Sequence, residues 1–539
     1  MGEKILPEYG WFQETSSLET VSEVGCCGCR SLQDSCSSGT EFSRREFLGV
    51  AGVLGAVGVG AAARGLFAEQ AAAAAFPPLR AQPIKKPLRV QPVFNCHPYQ
   101  RKPQTSWRTT GAIIDEAEIQ QEEAHIRAEL AELAKKADFG LEMLPLVRVE
   151  TVEQAQAASQ GDFDVMLIYA ARRNVPVLEA LARPERWNLM FVRHKSGPLY
   201  YMYIGAHVHY LRKRRDFFAE PAMTIHDVVV DDYEELLWRL RALYGLKNTL
   251  GKKFVCVGGP AGWGADGAEA PKIATKNWKF DYVTVSYDDL GKRIEAAFKD
   301  PKRLQTCQLM AQQYIRQPDV RLEIPEESVV RAFVLNEIFL DLLEESKTDA
   351  IAINLCMTTI MPVSGTTACL PLTLLNDAGL LAFCESDFVA IPAGVLMRYI
   401  GDRPAFLCNP SWPHQAVLTV SHCTAPRRMD GRHLEPVRLL THYESDFGAA
   451  TKVEMRKGQP VTVVNADFQG RRWLGFQARI LDSPFYPICR TQLDLAIQGN
   501  WQRLLEEIRG FHWILVYGEY LREAGYAVRK AGLDWVTIS

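Results

Sequence analysis

Two carboxylates stand two positions apart where an apolar run ends, in Leu380-Leu-Ala-Phe-Cys384-Glu385-Ser386-Asp387. In open α/β sheets ligands gather at the carboxyl ends of strands, so Asp387 is placed to ligate a cation or to carry a proton. An Asp at that point also suits a helix cap, and spacing alone does not separate the two. Two histidines stand beside other apolar runs: His422 in Val420-Ser-His-Cys-Thr-Ala-Pro-Arg427, and His512 in Gly510-Phe-His-Trp513. Each is a candidate ligand or a satisfied structural residue. His422 and Arg427 line a cleft if the strand before them ends there, and a hydrolase or lyase step at Asp387, His422 and Arg427 is one chemistry this set allows.

Other motifs carry less. Gly262-Trp-Gly-Ala-Asp-Gly267 has the G-x-G-x-x-G form and follows the apolar run 254–257. A dinucleotide loop must open a helix whose N–H groups hold the pyrophosphate, and Ala268-Glu-Ala-Pro271 does not read as an amphipathic helix start. A loop beside a cleft is therefore expected. His207 and His209 would share one face of a strand, but no third ligand accompanies them, and Leu211-Arg-Lys-Arg-Arg215 reads as a solvated face.

These residues need elements to position them. From about residue 87, short β-branched or aromatic runs alternate with longer charged amphipathic runs, the pattern of βαβ units. Strands are predicted at 88–94, 140–146, 164–169, 188–193, 253–257, 282–286, 350–355, 380–384 and 405–408. Helices are predicted at 116–136, 152–158, 233–246, 290–299, 301–315, 325–345 and 388–400, with a capping box at Thr151 and Gln154. After His414 the style changes to alternating runs at 435–490 that read as antiparallel strands, followed by an amphipathic helix at 514–531. The divisions expected are a signal region at 1–75, α/β layers at 76–250 and 251–418, and a β-rich domain at 419–539.

The signal region rests on Ser43-Arg-Arg-Glu-Phe-Leu48, a Gly/Ala/Val-rich stretch at 49–63, Arg64 and the small residues Ala71 to Ala75. The stretch is short for a membrane span of about 20 apolar residues. It reads as a cleavable twin-arginine signal, which predicts passage through the twin-arginine translocase to the periplasm or the exterior. Cys26, Cys27, Cys29 and Cys36 would leave with it, and nine cysteines remain. With 61 Lys and Arg against 64 Asp and Glu, the chain has no overall positive field to attract nucleic acid. No C-x-x-C pair lies beyond residue 75, so any metal in the main body should use oxygen and nitrogen donors.

Taken in order, 375–387, Gly401-Asp-Arg-Pro-Ala-Phe-Leu407, Ser421-His-Cys-Thr-Ala-Pro426, Cys489-Arg-Thr491 and Gly510–Glu519 resemble segments of the L-fucose/L-arabinose isomerase family. Gly251-Lys-Lys-Phe-Val-Cys-Val-Gly258 is similar to the opening strand of that family's second domain. The resemblance spans roughly 88–539 and is most specific from 375 to 519. It implies two Rossmann-like α/β domains followed by a β-rich C-terminal domain, a divalent cation, usually manganese, at their junction, aldose–ketose isomerisation, and a homo-oligomer. By motif, Asp387 and His512 match two of the three metal ligands, and Asp387 also matches a proton carrier. The third, a glutamate after the strand 350–355, is missing, since this chain reads Cys356-Met-Thr-Thr359. Thr359 offers a neutral hydroxyl that neither compensates a cation nor carries a proton. Glu385 is a candidate substitute, but relatives also carry a Glu there, which argues against rescue by it. The alternative is a non-catalytic, exported sugar-binding protein on the same scaffold.

Overall fold

The computed structural model describes residues 81–108 and 111–539. The segment expected to be a twin-arginine signal and Cys26, Cys27, Cys29 and Cys36 lie outside the described residues.

The first sheet collects β1 (Leu88–Asn95), β2 (Leu141–Met143), β3 (Val147–Val149), β4 (Val165–Ala170), β5 (Trp187–Val192) and β6 (Val228–Val230). All of its pairings are parallel, in the order β2-β1-β4-β5-β6, with β3 extending the β2 side of β1. Residues 140–146 were expected as one strand; Pro145 interrupts the ladder and two three-residue strands result. β4 is buried along its whole length, as a strand covered on both faces must be.

The second sheet holds β7 (Lys253–Val257), β8 (Asp281–Val285), β10 (Ala350–Ile353) and β11 (Leu381–Cys384), all parallel, in the order β11-β10-β7-β8. The chain leaves β7 for a neighbour on one side and later returns to pair on the other. A crevice therefore opens at the carboxyl ends of β7 and β10, with β11 beside it. β9 (Val320–Leu322) belongs elsewhere and pairs with β14 (Val437–His442), which in turn pairs with β15 (Phe447–Val453).

The remaining strands are β12 (Phe406–Pro410), β13 (Val417–His422), β16 (Pro460–Ala466), β17 (Arg472–Asp482), β18 (Thr491–Gln498), β19 (Trp513–Tyr517) and β20 (Asp534–Ile538). They run in the order β16-β19-β12-β13-β18-β17-β20, and a further β16–β17 pairing closes six antiparallel strands into a ring. Closure removes free edges. The protein is thus a mixed α/β structure with two parallel sheets and an antiparallel C-terminal barrel.

Residues 514–531 were expected as one helix. The structure divides them: Trp513–Tyr517 is a fully buried strand between β12 and β16, Gly518 turns the chain at φ +107°, and the helix runs only from Leu521 to Lys530. Periodicity cannot separate a short buried strand from the start of a helix. The helix Ile391–Gly401 is buried at every residue, lying between β19 and the helix Tyr233–Thr249. Thr151 and Gln154 form the expected capping box.

At the amino end of the second sheet, Lys252 donates to Asp349 at 3.0 Å and to the Tyr399 hydroxyl at 2.6 Å, all three buried. The other Asp349 oxygen accepts from Ile84 N at 2.7 Å, which ties the incoming chain to the sheet.

Gly245 sits where the helices Tyr233–Thr249 and Ile391–Gly401 meet, and a Cβ there would collide with the Ile400 side chain. Alanine would gain up to about 1 kcal/mol in helix propensity. Overpacking costs about 1–3 kcal/mol, and the clash should win. Gly245→Ala is expected to lower the thermal midpoint, and Ile400→Val to restore part of it; an unchanged or higher midpoint would show that the helices can separate freely.

Candidate functional site

Glu385 and Asp387 emerge from the carboxyl end of β11 on a tight turn. Glu385 has φ +64° and Ser386 φ +45°, a left-handed pair without glycine. Such residues cost about 1–3 kcal/mol each and persist only where the surroundings hold them. Here the loop after β7 holds them: Ala261 N donates to Ser386 O at 3.3 Å, and Phe388 N donates to Ala261 O at 3.0 Å, a one-residue parallel bridge between Ala261 and Asp387.

That loop contains the G-x-G-x-x-G residues. A side chain on Gly267 would strike the Gly262 backbone, and one on Gly264, at φ +88°, would strike Phe468. Contrary to expectation, a helix does follow, Ala270–Trp278, with Pro271 in its first turn, where the missing N–H costs nothing. Its buried partners are Ala270, Ala274 and Trp278. The loop's observed function is to place Trp263, whose N donates to Asp387 Oδ1 at 3.1 Å and whose Nε1 donates to Glu385 Oε2 at 2.7 Å.

The barrel supplies the histidines. In the ladder register Cys408 lies opposite Trp513 on one side, and the pair Asn409–Ser421 places it opposite His422 on the other. β12 therefore sets His422 and His512 at the same end of the barrel, with ring centroids 5.9 Å apart. Gly510, at φ +60°, packs against Ala466 O where a side chain would not fit, and so turns the chain into His512.

The two halves meet in one cluster. His512 Nδ1 donates to Asp387 Oδ2 at 2.7 Å with both residues buried. Asp387 Oδ1 also accepts from Val389 N at 3.1 Å, so both of its oxygens have donors. With Nδ1 carrying the proton, His512 Nε2 holds a lone pair. It is buried, has no hydrogen-bond partner among the described residues, and lies 3.5 Å from Glu385 Oε2. His422 Nε2 lies 3.5 Å from Glu385 Oε1, and its Nδ1 meets the Thr424 hydroxyl at 3.0 Å. Burial alone would raise the Glu385 pKa, but His422 and His512 in their protonated forms and the Trp263 N–H together hold it at about 2. Cys384, Glu385 and His422 each offer an atom within 4.8 Å of the others. This buried group is able to hold a metal ion.

Of the residues named from sequence, Asp387, His422 and His512 converge here. Arg427 is placed differently. Its guanidinium is fully buried and donates to Glu435 O at 2.9 Å, Gln317 Oε1 at 3.0 Å and Asp319 Oδ2 at 3.2 Å, while its backbone N donates to Asp377. Asp377 precedes β11, so Arg427 is anchored at the end of that strand away from Glu385. Thr359 lies in the turn after β10, its hydroxyl 3.5 Å from that of Thr358. His207 and His209 lie in a π-helix, Tyr203–Leu211, where His207 stacks on Tyr203 at 5.1 Å. Sequence reasoning missed Trp263 and Cys384; the signals were an aromatic between two glycines after a strand and a Cys-Glu pair at a strand end.

A comparison with protein-family models finds no match, and none is found among curated proteins.

Glu385 has a folded pKa below its ordinary value of 4.5, so its charge contributes stability that is fully present above about pH 4.5 and lost as pH falls toward 2. The stability advantage of wild type over Glu385→Gln, read from denaturant midpoints, should shrink as pH falls from 4.5 toward 2. A difference independent of pH across that window would mean that the histidines do not hold the carboxylate.

Proposed function

We propose that this chain is a metal-dependent aldose–ketose isomerase of the L-fucose/L-arabinose isomerase type, with two Rossmann-like domains and a β-rich third, exported by the twin-arginine route and assembled as a homo-oligomer. The observation that carries this reading is the Asp387–His512 pair, which joins the end of a parallel sheet to the barrel and leaves an imidazole nitrogen unpartnered beside an ionised carboxylate. Two imidazole nitrogens and a carboxylate, buried and mutually oriented, suit a divalent cation, manganese in the family resembled.

His512, His422 and Glu385 are the residues that would hold it. The cation supplies polarisation of a sugar carbonyl and of the adjacent hydroxyl oxygen. Asp387 fixes the tautomer and direction of His512, the role an acidic partner has behind a ligating histidine. Glu385 is the carboxylate that a sugar can reach, its side chain 19% exposed against 0% for Asp387. It would take the proton from the carbon bearing the hydroxyl and return it to the carbonyl carbon, while the hydroxyl proton passes to the former carbonyl oxygen. A carboxylate of pKa about 2 is a weak base near neutrality. Slow turnover follows, in line with the absence of a carboxylate at Thr359.

That weakness favours one second reading, an exported sugar-binding protein that recognises its ligand at this cluster without turnover.

Calorimetric titration of manganese into the metal-stripped full chain tests both. Saturable binding is expected, lost in His512→Ala and weakened about 10–100-fold in Asp387→Asn, the usual penalty for removing a partner behind a ligand. Ketose formation from a panel of pentoses and hexoses should follow metal loading and disappear in Glu385→Gln. Thermal stabilisation by a sugar with no product would select the second reading; no metal binding would remove the first.

A further inference from the structure

The cluster contains one donor that neither the proton chemistry nor the sequence pattern accounts for. Cys384, the last residue of β11, is buried and unoxidised, and its thiol lies within 4.8 Å of donor atoms of Glu385 and His422. Most buried thiols sit among apolar side chains and are inert. This one faces a carboxylate and an imidazole, and it contacts a second thiol, Cys356, at the turn after β10. Contact with Cys356 and burial both push its pKa well up, and a cation at this point would reverse that, because a coordinating thiol is deprotonated outright.

The imidazoles point the same way. Each has its Nδ1 occupied, His512 by Asp387 at 2.7 Å and His422 by Thr424 at 3.0 Å, and each directs Nε2 toward a different oxygen of Glu385. Histidines whose second nitrogen is tied in this way are set up as ligands. The buried, unpartnered Nε2 of His512 approaches Glu385 Oε2, while the thiol and His422 approach the same carboxylate from the β11 and β13 sides. Three donors of three elements converge, the Cys384 sulfur, a Glu385 oxygen and a His422 nitrogen, and His512 Nε2 stands 3.5 Å from the other side of the same carboxylate.

We infer that Cys384 is a thiolate ligand of the cation at this site, so that Cys384, Glu385 and His422, with His512 beside Glu385, form a centre that holds a borderline cation of the zinc class more tightly than manganese. This rests on reading the cluster as a metal centre. On binding, the sulfur–metal bond forms as the thiol proton leaves to solvent, with no change of oxidation state. Carboxylate and water suit manganese, whereas thiolate with imidazole suits zinc and cobalt, usually in four-coordinate geometry. The thiolate also supplies the second anionic donor that Thr359 does not.

The test is cobalt(II) titration of the metal-stripped full chain carrying serine at Cys26, Cys27, Cys29 and Cys36, followed by absorption. The expected result is a near-ultraviolet thiolate-to-cobalt charge-transfer band together with intense visible bands of four-coordinate cobalt. Zinc should abolish both at stoichiometric concentration, and manganese should not at tenfold excess. Cys384→Ser should lose the charge-transfer band and bind zinc at least tenfold more weakly, while Cys356→Ser keeps the band. Cobalt binding without that band, or a band kept in Cys384→Ser and lost in Cys356→Ser, overturns the assignment but leaves the metal centre standing. No binding of cobalt, zinc or manganese overturns both. Should Cys384→Ser not fold, zinc-edge X-ray absorption of the unsubstituted chain decides: a sulfur in the first coordination shell supports the proposal, and a shell of only nitrogen and oxygen overturns it.

Discussion

One hydrogen bond holds the two chemical halves of this protein in register. His512 Nδ1 and Asp387 Oδ2 meet at 2.7 Å between residues 125 positions apart, one at the end of a parallel strand and the other at the start of a barrel strand. Neither side chain reaches solvent. Breaking such a buried pair by removing one partner costs about 3–5 kcal/mol, because the remaining group is left uncompensated. The pair is therefore strong as a constraint whatever its net worth to folding. It also determines which nitrogen of His512 is free, and that makes the cluster a donor set.

The surrounding structure serves that constraint. Asp387 is fixed on its other oxygen by Trp263 N and Val389 N, and Trp263 is itself fixed by a glycine-packed loop. Two consecutive left-handed residues, Glu385 and Ser386, turn the chain sharply enough to present both carboxylates at one strand end. The Ala261–Asp387 bridge offsets their conformational cost. Trp263 stacks on Phe511 with centroids 4.5 Å apart and meets the His512 ring edge-on at 5.9 Å, so an aromatic wall rises over the donors on the solvent side.

Electrostatics favour holding a charge over moving a proton. Glu385 is poised at about 2 because two imidazoles and an indole N–H oppose its burial, and Asp387 has both oxygens engaged. The cluster is a set of donors able to hold a cation, and its chemistry is governed by the groups around it.

Much of this could be read from the chain. The βαβ alternation gave most of the parallel strands and helices, because buried strands and amphipathic helices impose different periods on the sequence. Leu380 to Asp387 announced a carboxylate pair at a strand end, and His422 and His512 stood out as polar residues beside apolar runs. The sequence did not assign Trp513–Tyr517 to a strand, since a five-residue apolar run acquires that state only from the neighbours it pairs with. Nor did it separate Arg427, five residues from His422, from the cluster; a carboxylate at Asp319, 108 positions away, holds it elsewhere. Residue types and local periods were fixed by the chain alone. Tertiary structure decided which of those residues face one another, because the closing contacts span more than a hundred positions and depend on barrel register and on a turn strained into place by its neighbours.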